Sequence, residues 1–348
     1  MRAGNEQELA DFLRSCQMPV LVRGGGTRRI AAGQGEVIDT SALTGVRIYE
    51  PGSLTLVAGA GTSVAEVEAV LALQRQRLAF EVPDLRGLLG RSGVSTLGGV
   101  AAANASGPRR VQVGACRDQV LGLRFVSGAG VVVKAGGRVM KNVTGLDIGK
   151  LLVGSHGRLG VITELAFRVQ AVPEAVATLV GARGLADGLA ALRAALGSPM
   201  DVSGAAYAGG QAMIRVEGMA GSVAYRAQAL RARLGGDWDV VEGAGPWAGV
   251  RDVTAFAGRE GHVWRVSVKP GDALAVVGGL EAEAVFDWGG GLIWLLADAG
   301  VDVRAQVAGR GHATLMRGTG TVFPPETAAV ATLTHGIKAK FDPKGILH

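Results

Sequence analysis

Cysteine is nearly absent from this chain of 348 residues: Cys16 and Cys116 stand one hundred positions apart. That spacing makes neither a Cys-x-x-Cys redox pair nor a cysteine zinc site, and it leaves each thiol as a free core residue. Aromatics are scarce too, at 5% of the chain, so there is no platform on which bases could stack. The 36 cations exceed the 30 anions by only six and are spread along the sequence, whereas a nucleic-acid binder gathers them on one face. No nucleic-acid partner is expected. No run of eighteen apolar residues occurs, and the polar start Met1-Arg2-Ala3-Gly4-Asn5 is followed by no continuous apolar stretch of a secretory signal, so the expectation is a cytoplasmic protein without a transmembrane segment. His156, His262, His312, His335 and His348 show no metal-ligand spacing, and no metal is expected. Gly-x-Gly-x-x-Gly is missing as well: Gly24-x-Gly26 runs on to Arg29 and Gly59-x-Gly61 to Val64, which removes the main support for a doubly wound dinucleotide fold. Gly149-Lys150 is followed by Leu151, so there is no Walker A site.

What the chain has in abundance is glycine, 56 residues of it, and the first cluster organises the reading. Val22-Arg23-Gly24-Gly25-Gly26-Thr27-Arg28-Arg29 follows a short apolar run. Three glycines allow positive φ and bring a row of N–H groups within reach of an anion, and the flanking cations suit a pyrophosphate. Each charge-assisted hydrogen bond to such an anion contributes about 1.5 to 3 kcal/mol. The alternative is a solvated turn with surface arginines.

Upstream, Asn5 and Glu8 form a capping box for a helix with Leu9, Phe12 and Leu13 on one face. Downstream, Val37 to Asp39, Val46 to Tyr49 and Leu54 to Ala58 read as one small sheet turned at Pro51-Gly52, and Ser63 with Glu66 opens a helix through Gln74. A second glycine cluster runs from Ser92 to Gly107, with hydroxyls at Ser95 and Thr96 and open backbone at Gly98 and Gly99; close helix packing would use the same small residues. Val120 to Ser127 and Val131 to Lys134 make a hairpin. A short helix from Asp147 to Leu152 leads through Gly154-Ser155-His156-Gly157-Arg158-Leu159-Gly160 into a strand from Val161 to Val169. Beyond Pro173, strands at 177–182, 212–217, 263–268, 284–288 and 292–296 alternate with helices at 185–196 and 222–234, and a last helix from 325 to 340 stops at Asp342-Pro343.

The ordered set Val22 to Arg28, Ser95 to Asn104, Gly114 to Asp118 and Gly145 to Ile162 resembles the FAD-binding domain of the vanillyl-alcohol oxidase and p-cresol methylhydroxylase superfamily. Within it, five further motifs resemble the FAD-binding subunits of bacterial glycolate oxidases. They are Gly107-Pro108-Arg109-Arg110, Val139 to Asp147, Phe286-Asp287-Trp288-Gly289-Gly290, Gly311-His312-Ala313-Thr314 and Phe341-Asp342-Pro343-Lys344-Gly345. The resemblance implies an α+β chain. Residues 1–170 would be a PCMH-type FAD-binding domain of two small α/β subdomains, residues 171–322 an α+β cap with a helix-covered antiparallel sheet, and residues 323–348 a helix and tail packing back on the FAD domain.

It also implies where FAD binds. Arg23, Gly24, Gly25, Gly26, Thr27 and Arg28 would take the pyrophosphate, and Ser95, Thr96, Gly98 and Gly99 the pyrophosphate and flavin side. The turn of Gly157, Gly160, Val161 and Ile162 would meet the adenine end, with Pro83, Ala102, Asn104, Arg109 and Asp118 completing the set. Some relatives attach the flavin through a histidine of the first loop. Residues 23–29 contain none, so the implied FAD is non-covalent.

A flavin that oxidises a 2-hydroxy acid needs a cation for the carboxylate, a base near the hydroxyl and dry positioning. Arg109, Arg110, Arg215, Arg265 and Arg310 are candidates for the cation and His312 for the base, with Arg310 beside it as the catalytic pair; each also reads as a surface arginine or a turn-capping histidine. Two distant cysteines cannot ligate an iron–sulfur cluster. The resemblance therefore implies a larger FAD-linked catalytic subunit and an iron–sulfur subunit as partners, a small 2-hydroxy acid as substrate, and peripheral membrane association through that complex. Two other readings stay open: a non-catalytic flavin-holding assembly scaffold, and a self-sufficient FAD oxidoreductase.

Overall fold

Among the described residues three sheets carry the chain. The computed structural model describes residues 1–28, 33–137 and 146–348; Arg29 and residues 139–145 of the Val139 to Asp147 motif lie outside the described residues. The first helix, Glu6–Ser15, starts where Asn5 Oδ1 accepts from the Glu8 amide at 2.9 Å and Asn5 Nδ2 donates to Glu8 Oε1 at 2.7 Å. Its buried Leu9 and Leu13 pack on β1 (Val20–Arg23) and β2 (Glu36–Asp39), a parallel pair in the register Val20 to Glu36. The chain's end completes this unit. Val20 N donates to Ile346 O at 2.7 Å and His348 N to Val20 O at 3.2 Å, so Ile346 and Leu347 enter the same core. Buried Asp342 holds that tail by accepting from the Ile346 and Leu347 amides at 3.1 and 2.8 Å.

The second sheet contains β3 (Val46–Glu50), β4 (Thr55–Gly59), β5 (Gln76–Leu78), β6 (Val120–Val126), β7 (Val132–Gly136) and β8 (Val161–Ala171). Its spatial order is β3-β4-β8-β6-β7, with β5 pairing the end of β8, and every pair is antiparallel. The expectation that 37–39 joins 46–49 and 54–58 in one sheet is corrected: β2 pairs with β1, because only there does Ile38 reach the core under the first helix. The helices Val64–Ala72 and Leu97–Ala102 cover this sheet with Val67, Leu71, Leu97 and Val100.

The third sheet contains β9 (Ala175–Ala182), β10 (Val202–Ala208), β11 (Gln211–Gly218), β12 (Asp239–Glu242), β13 (His262–Val268), β14 (Ala282–Asp287), β15 (Leu292–Ala297) and β16 (Gly311–Arg317). It is antiparallel throughout, in the order β12-β9-β11-β10-β14-β15-β13-β16. Helices Leu185–Leu196 and Ala220–Leu234 cover one face. Period-two alternation sorts β15: Ile293 and Leu295 point to the helices, while Leu292, Trp294 and Leu296 join Leu85, Leu88 and Leu89 on the opposite side. Arg265, Ser267, His312 and Thr314 pair across β13 and β16 and face the first two sheets with Trp294.

An ion network ties this sheet to the rest. Glu217 of β11 takes Arg77 Nη1 at 3.0 Å and Arg109 Nε at 3.1 Å, while Arg215 Nη1 takes Glu81 Oε1 at 2.8 Å. Arg215 also lies over the Trp247 ring at 4.6 Å. Opposed charges desolvated together hold each other in place, and the three arginines keep the Glu217 carboxyl below its usual range against its burial. Among the described residues no helix is long and apolar enough to cross a membrane.

Candidate functional site

The loop that leaves β1 lines a cavity of about 860 Å³. Arg23, Gly24, Gly25, Gly26, Thr27 and Arg28 form one wall, and Thr96, Gly99 and Ala102 form another. Of the three glycines that allow positive φ, only Gly26 uses it, at +75°. Gly24 and Gly25 are needed for a different reason. A Cβ on Gly24 would lie 2.5 Å from Thr96 Oγ1, and one on Gly25 would lie 1.4 Å from the Val94 carbonyl oxygen. The two glycine clusters are therefore packed backbone to backbone, while beside Gly26 there is open space.

Arg28 fastens them. It is buried, and its Nη1 donates to Thr27 Oγ1 at 3.0 Å and to Ser95 Oγ at 2.5 Å, its Nη2 to the Pro83 carbonyl at 2.6 Å. Its Nε is buried without a partner, and burial pushes its pKa down to about 10. Arg158 adds a third cation over the Phe323 ring at 5.1 Å. No aspartate or glutamate side chain lines this cavity among the described residues; His348 is also in its lining. Three guanidiniums, a glycine row and an unpartnered buried Nε fit the two negative charges of a dinucleotide pyrophosphate.

Two further spaces adjoin it. Gly98, Gly157, Gly160 and Ile162 line a smaller cavity of about 410 Å³, which shares Val22, Gly24, Gly99, Ala102 and His156 with the first. On the other side opens a cleft of about 1100 Å³ toward the third sheet, and Arg28, Ala103, His156 and Phe323 line both it and the first cavity. His156, which no sequence motif marked as functional, lies in this shared wall. Its φ is +55°, its amide donates to Ala102 O at 2.9 Å, and its ring meets Phe323 at 5.4 Å. Burial, then the charge of Arg158, depress its pKa to about 4, so the imidazole is neutral at pH 7. A histidine in a glycine-rich turn with φ above zero is the signal that marked it, readable only once the turn's conformation is known.

The other expected residues divide. Pro83 and Asn104 line the cleft, where Asn104 Oδ1 accepts from the Arg117 amide at 2.9 Å. Val161 packs in the core with Val126. Arg109 is taken up by Glu217 and by Gln170, 3.0 Å from its Nη2, and Asp118 caps a turn by accepting from the Ala115 amide at 2.8 Å; neither is brought to the glycine loop. His312 stands at the cleft mouth, its pKa lowered by burial and by Arg265. Arg310 is not among the lining residues; its Nη1 reaches the Gln306 carbonyl at 3.5 Å.

Comparison with known proteins agrees with this geometry. The FAD binding domain family matches residues 1–136. The glycolate oxidase subunit GlcE of Escherichia coli is 33% identical over 340 residues, which are 96% of this chain and 92% of that one. The glycolate oxidase subunit GlcD of Bacillus subtilis is 30% identical over 184 residues, 51% of this chain and 37% of its own length. Among solved structures, alkyldihydroxyacetonephosphate synthase superposes with a TM-score of 0.67 at 16% identity, over 99% of this chain and 74% of that one, a likeness of fold. The chain is an FAD-dependent oxidoreductase and belongs to the glycolate oxidase subunit GlcE family.

Proposed function

We propose that this chain is the FAD-holding subunit of a glycolate oxidase-like complex that oxidises a small 2-hydroxy acid to the 2-oxo acid. The observation that carries the reading is the arginine-lined cavity, free of aspartate and glutamate side chains, opening into a cleft likewise free of them through the wall of Arg28 and His156. Residues 1–170 hold the cofactor, 171–322 cap it and 323–348 return as the tail. Gly24 to Arg28, with Thr96, Gly98, Gly99 and Ala102, hold the pyrophosphate; Gly157, Gly160 and Ile162 hold the adenine end. When bound, FAD supplies a two-electron acceptor for the hydride leaving the hydroxyl-bearing carbon.

The chain's own residues supply the rest. His312, kept uncharged, takes the hydroxyl proton at a ring nitrogen, and the aliphatic and aromatic wall of Leu85, Trp294 and Phe323 excludes water. Loop residues 23–28 contain no histidine, which supports non-covalent FAD. Two cysteines, one of them buried with its thiol pKa raised by desolvation, supply no cluster ligands, which supports an iron–sulfur subunit and a larger FAD-linked subunit as partners.

The test is an absorbance spectrum of the purified chain before and after acid precipitation, then anaerobic glycolate addition. Flavin should appear in the supernatant. Glycolate should bleach it slowly in the isolated chain and rapidly with the two partner subunits; protein without flavin affinity would overturn the reading.

A further inference from the structure

Three motifs that stand far apart in the sequence meet at the cleft. Gly107-Pro108-Arg109-Arg110 contributes Arg110, Gly311-His312-Ala313-Thr314 contributes His312 and Thr314, and Phe286-Asp287-Trp288-Gly289-Gly290 contributes an indole on which two guanidiniums rest. The Arg110 guanidinium carbon lies 4.5 Å from the centre of the Trp288 ring and that of Arg265 lies 5.4 Å from it. Trp288 is held firmly. Its Nε1 donates to the Gly107 carbonyl at 3.1 Å, its amide to Asp287 Oδ1 at 2.7 Å, and its φ is +54°, a conformation that a bulky residue keeps only when its surroundings impose it.

Other sequestered arginines have partners: Arg77 and Arg109 have Glu217, Arg215 has Glu81, Arg251 has Asp252, and Arg28 has the Thr27 and Ser95 hydroxyls and the Pro83 carbonyl. Arg110 and Arg265 have no acid within ion-pair distance among the described residues, and no side-chain hydrogen bond; the stacking on Trp288 is what positions them. Desolvation pushes Arg265 down to about 10, with the charge of Arg110 adding to it, and lowers Arg110 as well. Two partly desolvated cations without a counter-ion, in a cleft with no carboxylate in its lining, are completed by an anion from outside. Across the strand pairs, Ser267 and His312 face each other and Thr314 pairs with Arg265, so hydroxyl and imidazole groups stand beside the guanidinium.

We infer that Arg110 and Arg265, both stacked on the indole of Trp288, bind the carboxylate of the small 2-hydroxy acid in this cleft. The assignment rests on the 2-hydroxy acid reading above and names its carboxylate site. It separates the five candidate arginines: Arg109 and Arg215 are spent on Glu217 and Glu81, and Arg310 is not in the cleft lining.

The test titrates glycolate, its neutral amide glycolamide, and oxalate, a carboxylate with no oxidisable hydroxyl, into the FAD-loaded chain by calorimetry. Arg110→Gln and Arg265→Gln should each weaken glycolate and oxalate about ten- to hundredfold, since each removes charge-assisted hydrogen bonds. Glycolamide binding and flavin content should stay as in wild type, and Arg265→Lys should recover part of the loss. If Arg265→Gln fails to fold, as a melting curve would show, Arg110→Gln and Arg265→Lys decide. Glycolate binding and flavin reduction undiminished in flavin-loaded variants would overturn the arginine pair and leave the oxidation reading standing. Oxalate binding that falls in the variants, while glycolate never reduces the wild-type flavin even with partner subunits, would keep the pair and overturn that reading.

Discussion

Gly25 and Gly93 face each other with no room for a side chain on either: a Cβ on Gly25 would lie 1.4 Å from the Val94 oxygen, and one on Gly93 would lie 2.2 Å from the Gly25 oxygen. The contact holds the two glycine clusters at one spacing, and both clusters line the cavity beside the loop. Gly25→Ala must push the two backbones apart, an overpacking of about 1 to 3 kcal/mol. Gly26→Ala meets no atom and bears only the strain of its +75° φ, about 1 kcal/mol. Titration of FAD by fluorescence quenching should show Gly25→Ala weakened by about tenfold or more and Gly26→Ala by a few-fold. Equal losses would mean that the clash is relieved without moving the cavity wall.

His156 gives the fold an acid limit. The unfolded imidazole takes its proton near 6.5 and the folded one only near 4. Between those values the unfolded chain binds more protons, so the contribution is complete above about pH 6.5 and is lost as pH falls toward 4. His156→Asn, which tolerates the +55° φ, removes the titration. Melting temperatures from pH 7 to pH 4.5 should fall more steeply in wild type than in the variant; parallel profiles would place the imidazole in contact with water.

The sequence was most legible where one local rule was obeyed on its own. The Asn5 and Ser63 caps, the β6–β7 hairpin and the helix Leu185–Leu196 follow from capping and periodicity, and the structure has them. The strands missed are those whose pattern is set by neighbours. β10 is built of small residues because Gly204 lies under the Trp247 ring, 2.8 Å from where a Cβ would stand, and β12 is an exposed edge with no apolar face. β16 begins with Gly311 pressed on the Ser267 carbonyl, so His312, open to reading as a turn cap, lies in a strand. The glycine loop was legible as a close-packed turn flanked by cations, and it lines a cavity. Arg28 as its fastener, His156 at the shared wall and Trp288 under two arginines depend on contacts across long stretches of chain, which no local pattern encodes.

Asp287 behaves in the opposite sense to His156. It is buried, and desolvation, with Glu81 adding to it, raises its carboxyl to about 7 although the Trp288 amide donates to it. The folded chain then holds a proton that the unfolded chain has released, so stability is fullest below the unfolded value of 3.8 and declines as pH rises toward 7. Asp287→Asn keeps the acceptor and removes the charge. Its melting temperature should exceed that of wild type at pH 8 and match it at pH 4; a lower value at pH 8 would show that the carboxylate is stabilised where it lies.

Glu217 is the shared acid of the network between β11 and the cofactor half. Glu217→Ala would leave Arg77 and Arg109 without their ion-pair partner, with Arg109 buried, and removal of one member of a buried pair costs about 3 to 5 kcal/mol. Because its carboxyl is held below 4.5, the contribution is present above that pH and lost as pH falls below it. Urea unfolding should show the deficit at pH 7 and a smaller one under acid conditions. A variant as stable as wild type at pH 7 would mean that water reaches these arginines.

Arg28 and Arg23 flank the same glycines and differ in every respect that matters. Arg23 has about half its side chain in solvent and reaches Asp39 Oδ2 at 3.2 Å, an exposed pair worth up to about 1 kcal/mol. Arg28 is buried, and its fork serves three acceptors on three segments: Thr27 of the loop, Ser95 of the second glycine cluster and the Pro83 carbonyl. A lysine carries the charge without the fork, so it cannot fasten all three at those positions. If charge alone attracts the pyrophosphate, Arg28→Lys and Arg23→Lys should be equally mild. If the fastening sets the cavity, Arg28→Lys should weaken FAD about tenfold or more while Arg23→Lys stays within about threefold, and flavin titration of the two purified variants separates the alternatives. Because Arg28 also lines the cleft, its loss should lower the melting temperature gained on adding FAD, whereas the Arg23 variant should keep that gain.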